Sequence, residues 1–263
     1  MTTSHDEYSR FTDIKVLDET LAFHVKGNYT LHKATRHLST LHHIPTQALK
    51  KLTGKELKLN PLTDGPETDE LNLTALPLHH PLMRNDSCDH FSEHPIHFNA
   101  VRSLLAPLLR KFGSEYKRGY PSAGAIFPIE IFCINLNDMI EKWPTDCTVL
   151  HLLPASQTFE MHSTNINIKE LTQAVTPLNT EIGTPALALV YVIYLPKAIF
   201  KYRYRGYRHA LMEVGSLYML TDLRCKELKL DSRPWSAFTD HQITKLLNLN
   251  PTLFLPICIQ LIG

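Results

Sequence analysis

The chain has 263 residues, of which 43% are hydrophobic and 20% charged, and its formal net charge is +1. That length suits one large domain, or one domain with a modest extension, and the composition is that of a chain able to bury a core. A net charge so close to zero excludes any global pull toward nucleic acid or an anionic membrane, so charge must act locally.

The opening stretch, MTTSHDEYSR, is polar and has no signal-peptide core. The longest strongly apolar run, residues 186–195, is about half of what a membrane span needs. A cytoplasmic protein is expected, with neither membrane nor nucleic acid among its partners. Residues 1–80 read as an N-terminal extension with its own small fold. It holds apolar patches at 20–25 and 38–44, a basic helix-like piece at 46–51, and the linker-like run NPLTDGPETDE.

From residue 81 the pattern tightens into the main domain, 81–263. Val101, Leu104, Leu105, Leu108, Leu109 and Phe112 follow helical spacing, which predicts an amphipathic helix over 98–112, kinked or restarted at Pro107. Buried strands are expected at 129–136, 147–153, 186–194 and 254–262, all rich in branched residues. A long helix fits 207–228 and a short one 240–247. Helices and strands mix without strict βαβ alternation, so the fold class expected is α+β, with a largely antiparallel sheet flanked by helices. Five cysteines, Cys88, Cys133, Cys147, Cys225 and Cys258, include no CxxC pair and read as reduced, mostly buried thiols. His79, His80 and the run Cys88, His90, His94, His97 show no paired metal-ligand spacing, so this region reads as a solvated loop and no metal site is expected.

Three segments could carry chemistry. YPSAGA, 120–125, is a small-residue loop whose backbone N–H groups can approach a planar or anionic ligand, with Arg118 offering a fixed charge to a phosphate. KAIFKYRYRGYR, 197–208, places Lys197, Lys201, Arg203, Arg205 and Arg208 among Tyr202, Tyr204 and Tyr207. Read as a strand edge, it would set Tyr202 and Lys201 in a cationic neighbourhood that lowers the proton affinity of both, as a general base requires. A solvated basic face, or a surface that grips RNA, explains the same spacing. SRPWSAF, 232–238, reads as a turn before the last helix, with Trp235 as a core anchor and Asp240 as cap.

Together and in this order, the three segments resemble the flavin-dependent nitroreductase superfamily. More narrowly, they resemble its SagB-type branch of thiazole/oxazole-forming peptide dehydrogenases, which includes the dehydrogenase subunit of microcin B-type synthetases. GYPSAGAIFPIEIF is similar to that branch's YPSGGALYPxE element. KAIFKYRYRGYRHALMEVGSLY and FHVKGNY are similar to the corresponding stretches of the synthetase subunit. The resemblance implies a homodimeric FMN enzyme that oxidises thiazoline or oxazoline rings in a ribosomally made precursor peptide. Lys201 and Tyr202 match the family's catalytic pair. Arg118, Ser122, Ala123 and Gly124 match the FMN loop, Ser236 and Ala237 the turn that approaches the flavin, and Gly215 and Ser216 the helix beneath it. The implied partners are a YcaO-type cyclodehydratase and an E1-like, zinc-containing peptide-binding subunit, for which residues 1–80 form a docking region.

The chain also departs from the pattern. Of the usual R-x-S-x-R/K phosphate grip only Ser87 survives, no basic tail follows the last strand, Ala123 stands in place of a glycine, and Met219-Leu220 replaces a common Gln-Asn pair. A general NAD(P)H-dependent nitroreductase and a flavin-free scaffold subunit are the alternative readings.

Overall fold

In a computed structural model the described residues are 4–30, 45, 47–48, 53–54, 73–163, 166–177 and 181–263. The chain divides into two compact units, residues 1–29 with 84–263, and residues 30–83. The apolar patch at 38–44 and the linker at 60–70 lie outside the described residues, as does most of the basic piece at 46–51. Within the second unit, Pro77 and His80 carbonyls accept from the His80 and Met83 N–H groups, which coils residues 77–83 into successive turns.

The first unit begins with helices α1 (Ser4–Arg10) and α2 (Ile14–Gly27). It continues with β1 (Ile96–His97), α3 (Phe98–Leu105), β2 (Ile129–Asn135), β3 (Ile140–Glu141), β4 (Val149–Leu153) and β5 (Thr158–Ser163). After α4 (Ile168–Val175) come β6 (Leu187–Tyr194), α5 (Leu195–Tyr202), α6 (Tyr204–Leu228), β7 (Ser232–Trp235), α7 (Asp240–Leu246) and β8 (Phe254–Ile262). Six strands make one sheet in the order β5-β4-β2-β6-β8-β7, and every neighbouring pair in it is antiparallel. The expected mixed α+β class with an antiparallel sheet is what the chain forms.

Strand alternation assigns the two faces of the sheet. On β6, Leu187, Leu189, Tyr191 and Ile193 join a core with α3, α5 and α6. Ala188, Val190 and Val192 face the other way, onto Leu171, Ala174 and Val175 of α4 and Ile243 of α7. All eight residues of this strand are buried, which is why LALVYVIY carries no polar side chain apart from its two tyrosines. Apolar area removed from water on both faces is the main favourable term holding the sheet in place.

Proline ends the helix expected over 98–112. The α-helix stops at Leu105, Ala106–Leu108 form one 3₁₀ turn, and Phe112 is fully exposed in the loop beyond. SRPWSAF is corrected too. Ser232–Trp235 is an edge strand against β8, and the N-cap of α7 is Thr239 rather than Asp240. Trp235 is half-buried and donates its ring N–H to the Val175 carbonyl (2.8 Å). All five cysteines are free thiols; Cys133, Cys147 and Cys225 are buried.

Where α6 crosses the sheet, a polar cluster is buried among apolar groups. The Tyr191 hydroxyl donates to Gln260 Oε1 (2.8 Å) and lies 3.2 Å from the Thr221 hydroxyl. Gln260 Nε2 donates to Asp222 Oδ1 (3.1 Å), and Asp222 also accepts from Ser232 and from the Arg84 guanidinium. Each buried group thereby meets a partner, the condition under which such a cluster fixes register and does not destabilise the core.

Candidate active site

The run Lys197–Arg208 is not a strand edge. Tyr194 closes β6 and serves at once as N-cap of α5, and Pro196 sits in the first helical turn, where its missing N–H costs nothing. The helix ends at Tyr202, and a single residue, Arg203 (φ 51°, ψ −134°), reverses the chain into α6. The two helices cross at backbone contact: a Cβ on Gly206 would stand 1.9 Å from the Ala198 carbonyl oxygen. Only glycine permits that approach, so tertiary packing decides against the strand that the alternating cations suggested.

This geometry also removes the one-sided cationic face inferred from strand alternation. Arg203 pairs with Asp13 at the N-cap of α2 (2.9 Å), and Lys197 with Glu130 on β2 (3.5 Å). The N-terminal helices brace the joint: the Tyr8 ring packs on Phe200 (5.3 Å between centroids), Glu19 accepts from the Tyr204 hydroxyl, and His24 Nδ1 lies 3.0 Å from the Tyr207 hydroxyl.

At the end of α5, Lys201 is exposed and Tyr202 half-buried, and the Lys201 amine lies 5.3 Å from the Tyr202 ring centre. Both reach the small-residue loop. A Cβ on Gly124 (φ +63°) would stand 2.6 Å from the Tyr202 hydroxyl and 3.1 Å from the Lys201 amine. The phenol, the amine and the Gly124 backbone thus converge on one spot from two segments that lie far apart in the chain. The left-handed conformation falls on Gly124, Ala125 and Phe127 and not on Ala123, so alanine in that last place strains nothing.

Behind the loop, the Ser122 hydroxyl accepts from the Phe127 N–H (2.8 Å) and neighbours Glu213 of α6. Arg118 donates to the Tyr120 hydroxyl (2.7 Å) and lies 4.1 Å from the centre of the Phe127 ring. Two carboxylates that the sequence did not single out stand here. Burial pushes the Glu213 carboxyl up to about 7, against the Ser122 hydrogen bond and the charges of Arg118 and Lys197. Burial acts on Glu130 in the same sense, but the His151 hydrogen bond and the charges of Lys197 and His151 outweigh it and bring that carboxyl down to about 2. Burial would lower His151, but Glu130 (3.1 Å) and Glu160 (3.0 Å) on its two ring nitrogens raise it. A lone acid in an apolar strand or within a helix's buried arc was the available signal for both.

The remaining candidates lie elsewhere on the same unit. Ser87 accepts from Arg84 (3.1 Å) beside the Asp222 cluster. Gly215 and Ser216 are half-buried on α6, and a Cβ at Gly215 would meet nothing nearer than the Tyr218 ring at 4.0 Å. Ser236 is exposed and Ala237 half-buried in the turn between β7 and α7. The structure therefore brings together Lys201, Tyr202, Ser122, Ala123 and Gly124, with Arg118 behind the same loop. Among the described residues no cluster of His, Cys, Asp and Glu is arranged to hold a metal, and no helix is long and apolar enough to cross a membrane.

No protein-family model matches the chain. It is 32% identical over 262 residues to the microcin B17-processing protein McbC of Escherichia coli, covering 98% of this chain and 93% of that one. A protein named as a nitroreductase from Methanocaldococcus jannaschii is 24% identical over 204 residues, covering 73% of this chain and 93% of its own. Among solved structures, the E. coli microcin synthetase McbBCD complex with truncated pro-MccB17 bound aligns with a TM-score of 0.82 and 32% identity, over 100% of this chain and 97% of the matched one. A structure described as a nitroreductase from Ralstonia eutropha aligns with a TM-score of 0.56 at 19% identity, over 75% of this chain and 86% of that one, a likeness of fold. The chain belongs to the family of the microcin B17-processing protein McbC.

Proposed function

We propose that the chain is an FMN-dependent dehydrogenase that oxidises thiazoline and oxazoline rings to thiazoles and oxazoles in a ribosomally made precursor peptide. The observation that carries this reading is the convergence of the Tyr202 hydroxyl and the Lys201 amine on the Gly124 backbone, in a chain that aligns with McbC along nearly its whole length.

The loop fits a flat cofactor. Gly124 lacks the Cβ that would crowd the phenol, its small neighbours Ala123 and Ala125 leave the backbone open, and Gly215 has free space above it. Ser122, Ala123 and Gly124 would hold the ring edge, and Gly215, Ser216, Ser236 and Ala237 its other contacts across a homodimer. Arg118 and Ser87 would serve the phosphate. When bound, FMN supplies the two-electron acceptor for the hydride leaving the ring, since the cofactor carries the redox chemistry and the protein supplies position and field.

The chain's own residues do the rest. Tyr202 serves as the base for the ring-carbon proton, and Lys201, whose amine reaches the same glycine, polarises the phenol oxygen and assists. The α5–α6 joint fixes both side chains on regular structure, which supports the alignment that such a transfer needs. In the reading extended to partners, a YcaO-type cyclodehydratase supplies the azoline, an E1-like zinc-containing subunit holds the peptide, and residues 1–80 form the docking region.

Lys201→Ala and Tyr202→Phe are expected to leave a folded, yellow protein that stops at the azoline stage. The check is mass spectrometry of the peptide, where each completed azole loses one pair of hydrogens. Full conversion by both variants would refute the assigned base.

A further inference from the structure

Glu213 sits in the third turn of α6 with 3% of its surface exposed, and its Oε1 meets no hydrogen-bond partner in the protein. A buried carboxylate oxygen without a donor costs about 1–3 kcal/mol, so the fold tolerates it only where something else satisfies it. The side chain lines a narrow cleft together with Ser122, Ala123, Tyr202 and His209. The free volume there is about 10 Å³, room for roughly one water molecule. The Ser122 side chain lies close enough to favour the ionised carboxylate, so the polar side of the cleft faces Glu213.

We propose that Glu213 is a positioning residue that acts through Tyr202: by way of one cleft water, its Oε1 accepts the O–H proton that the phenol gives up as it takes one from the substrate. This rests on the dehydrogenase reading above. The transfer balances. As the substrate C–H bond gives its proton to the Tyr202 oxygen, the phenol's own O–H proton passes to the water and one of the water's protons passes to Oε1, while the electron pair of the broken C–H bond stays with the substrate. Tyr202 returns to its starting state, and one proton sits on the carboxyl until solvent removes it.

The groups facing Glu213 suit this task. Burial and Glu130 favour the protonated form, Arg118 and Lys197 the ionised one, and burial keeps the neighbouring Tyr120 phenol protonated. His209 is one turn earlier on α6, with its ring edge-on to Tyr202 at 5.3 Å. The resulting balance near neutrality, about 7, lets the group take and release a proton at working pH.

The test uses the intact chain loaded with FMN, in two arms. In infrared difference spectra, a carboxylic C=O band that titrates away near pH 7 is expected in the wild type, absent from Glu213→Gln and shifted in Tyr202→Phe. A band identical in wild type and Tyr202→Phe would overturn the coupling. In single-turnover azoline oxidation, the rate should fall below pH 7 as Glu213 becomes protonated. Glu213→Gln should lose that acid limb and run about 100-fold slower, the low end of what a placed acid–base group contributes. An unchanged pH profile in Glu213→Gln would equally overturn the proposal. A wild type that oxidises no azoline sinks the dehydrogenase reading instead, and the infrared arm then decides Glu213 by itself.

Discussion

Replacing Gly124 by alanine would separate the architecture of the site from the stability of the fold. At φ +63° an L side chain in the left-handed region costs roughly 1–2 kcal/mol. The added Cβ would lie 2.6 Å from the Tyr202 hydroxyl, about 0.8 Å inside ordinary contact. What it meets, however, is the tip of a side chain, and the Lys201 amine at 3.1 Å is the end of a flexible stem. Both can rotate away, so the steric clash adds little to the unfolding free energy. The expected loss is about 1–2 kcal/mol, or some 2–8 °C in melting temperature for a chain of this size. Catalysis should suffer far more, because a displacement near 1 Å at the reacting group costs about 100-fold. The assay is thermal unfolding beside azole formation, with flavin absorbance as the measure of loading. A Gly124→Ala protein that is yellow, stable and fully active would refute the placement of Tyr202 and Lys201 against this loop.

Gly206→Ala should show the opposite balance, since its Cβ would strike the Ala198 carbonyl at 1.9 Å and backbone cannot rotate away; a loss of about 3 kcal/mol in denaturant unfolding is expected. Tyr191→Phe removes the donor to Gln260 Oε1 inside the sheet–helix core and should cost about 1–3 kcal/mol by the same measurement, leaving the Lys201–Tyr202 chemistry intact. Against burial, the His151 hydrogen bond and the charges of Lys197 and His151 hold the Glu130 carboxyl down to about 2, so its stabilising contribution is full above its ordinary 4.5 and is lost as pH falls toward 2. Melting temperature should therefore drop more steeply over that interval in the wild type than in Glu130→Gln; parallel curves would contradict the half-buried His151–Glu130–Lys197 arrangement.

The centre of the sheet is readable from sequence because β2, β6 and β8 are buried on both faces and their residues are apolar nearly throughout. The edges are not. Thr158–Ser163 and Ser232–Trp235 mix polar and apolar residues, as strands with one open side do, and Pro234 gives Ser232–Trp235 the local signature of a turn. The helices at Ser4–Arg10 and Ile14–Gly27 bury little, with Val16 and Thr20 the buried residues of the longer one, so they leave only a weak stripe. At 197–208, cations at every second position imitate a strand. What decides for helices is the contact between Gly206 and the Ala198 carbonyl, which no local pattern contains. Lys201, Tyr202 and the small-residue loop stood out by residue type, but the same spacing suits a solvated basic face, and it was the resemblance that singled them out as a site. Glu130 and Glu213 were not, because their significance depends on which oxygens end up buried and which remain without a donor.

The path from the sheet to Tyr202 contains no loop: β6 runs straight into α5, and one left-handed residue joins α5 to α6. The backbone that carries Tyr202 thus has little freedom to travel toward a substrate, even though the side chain can rotate. Whatever adjustment a bulky peptide demands must then come from the opposite wall, residues 118–127. Amides there should exchange with deuterium far faster than those of Leu187–Tyr194.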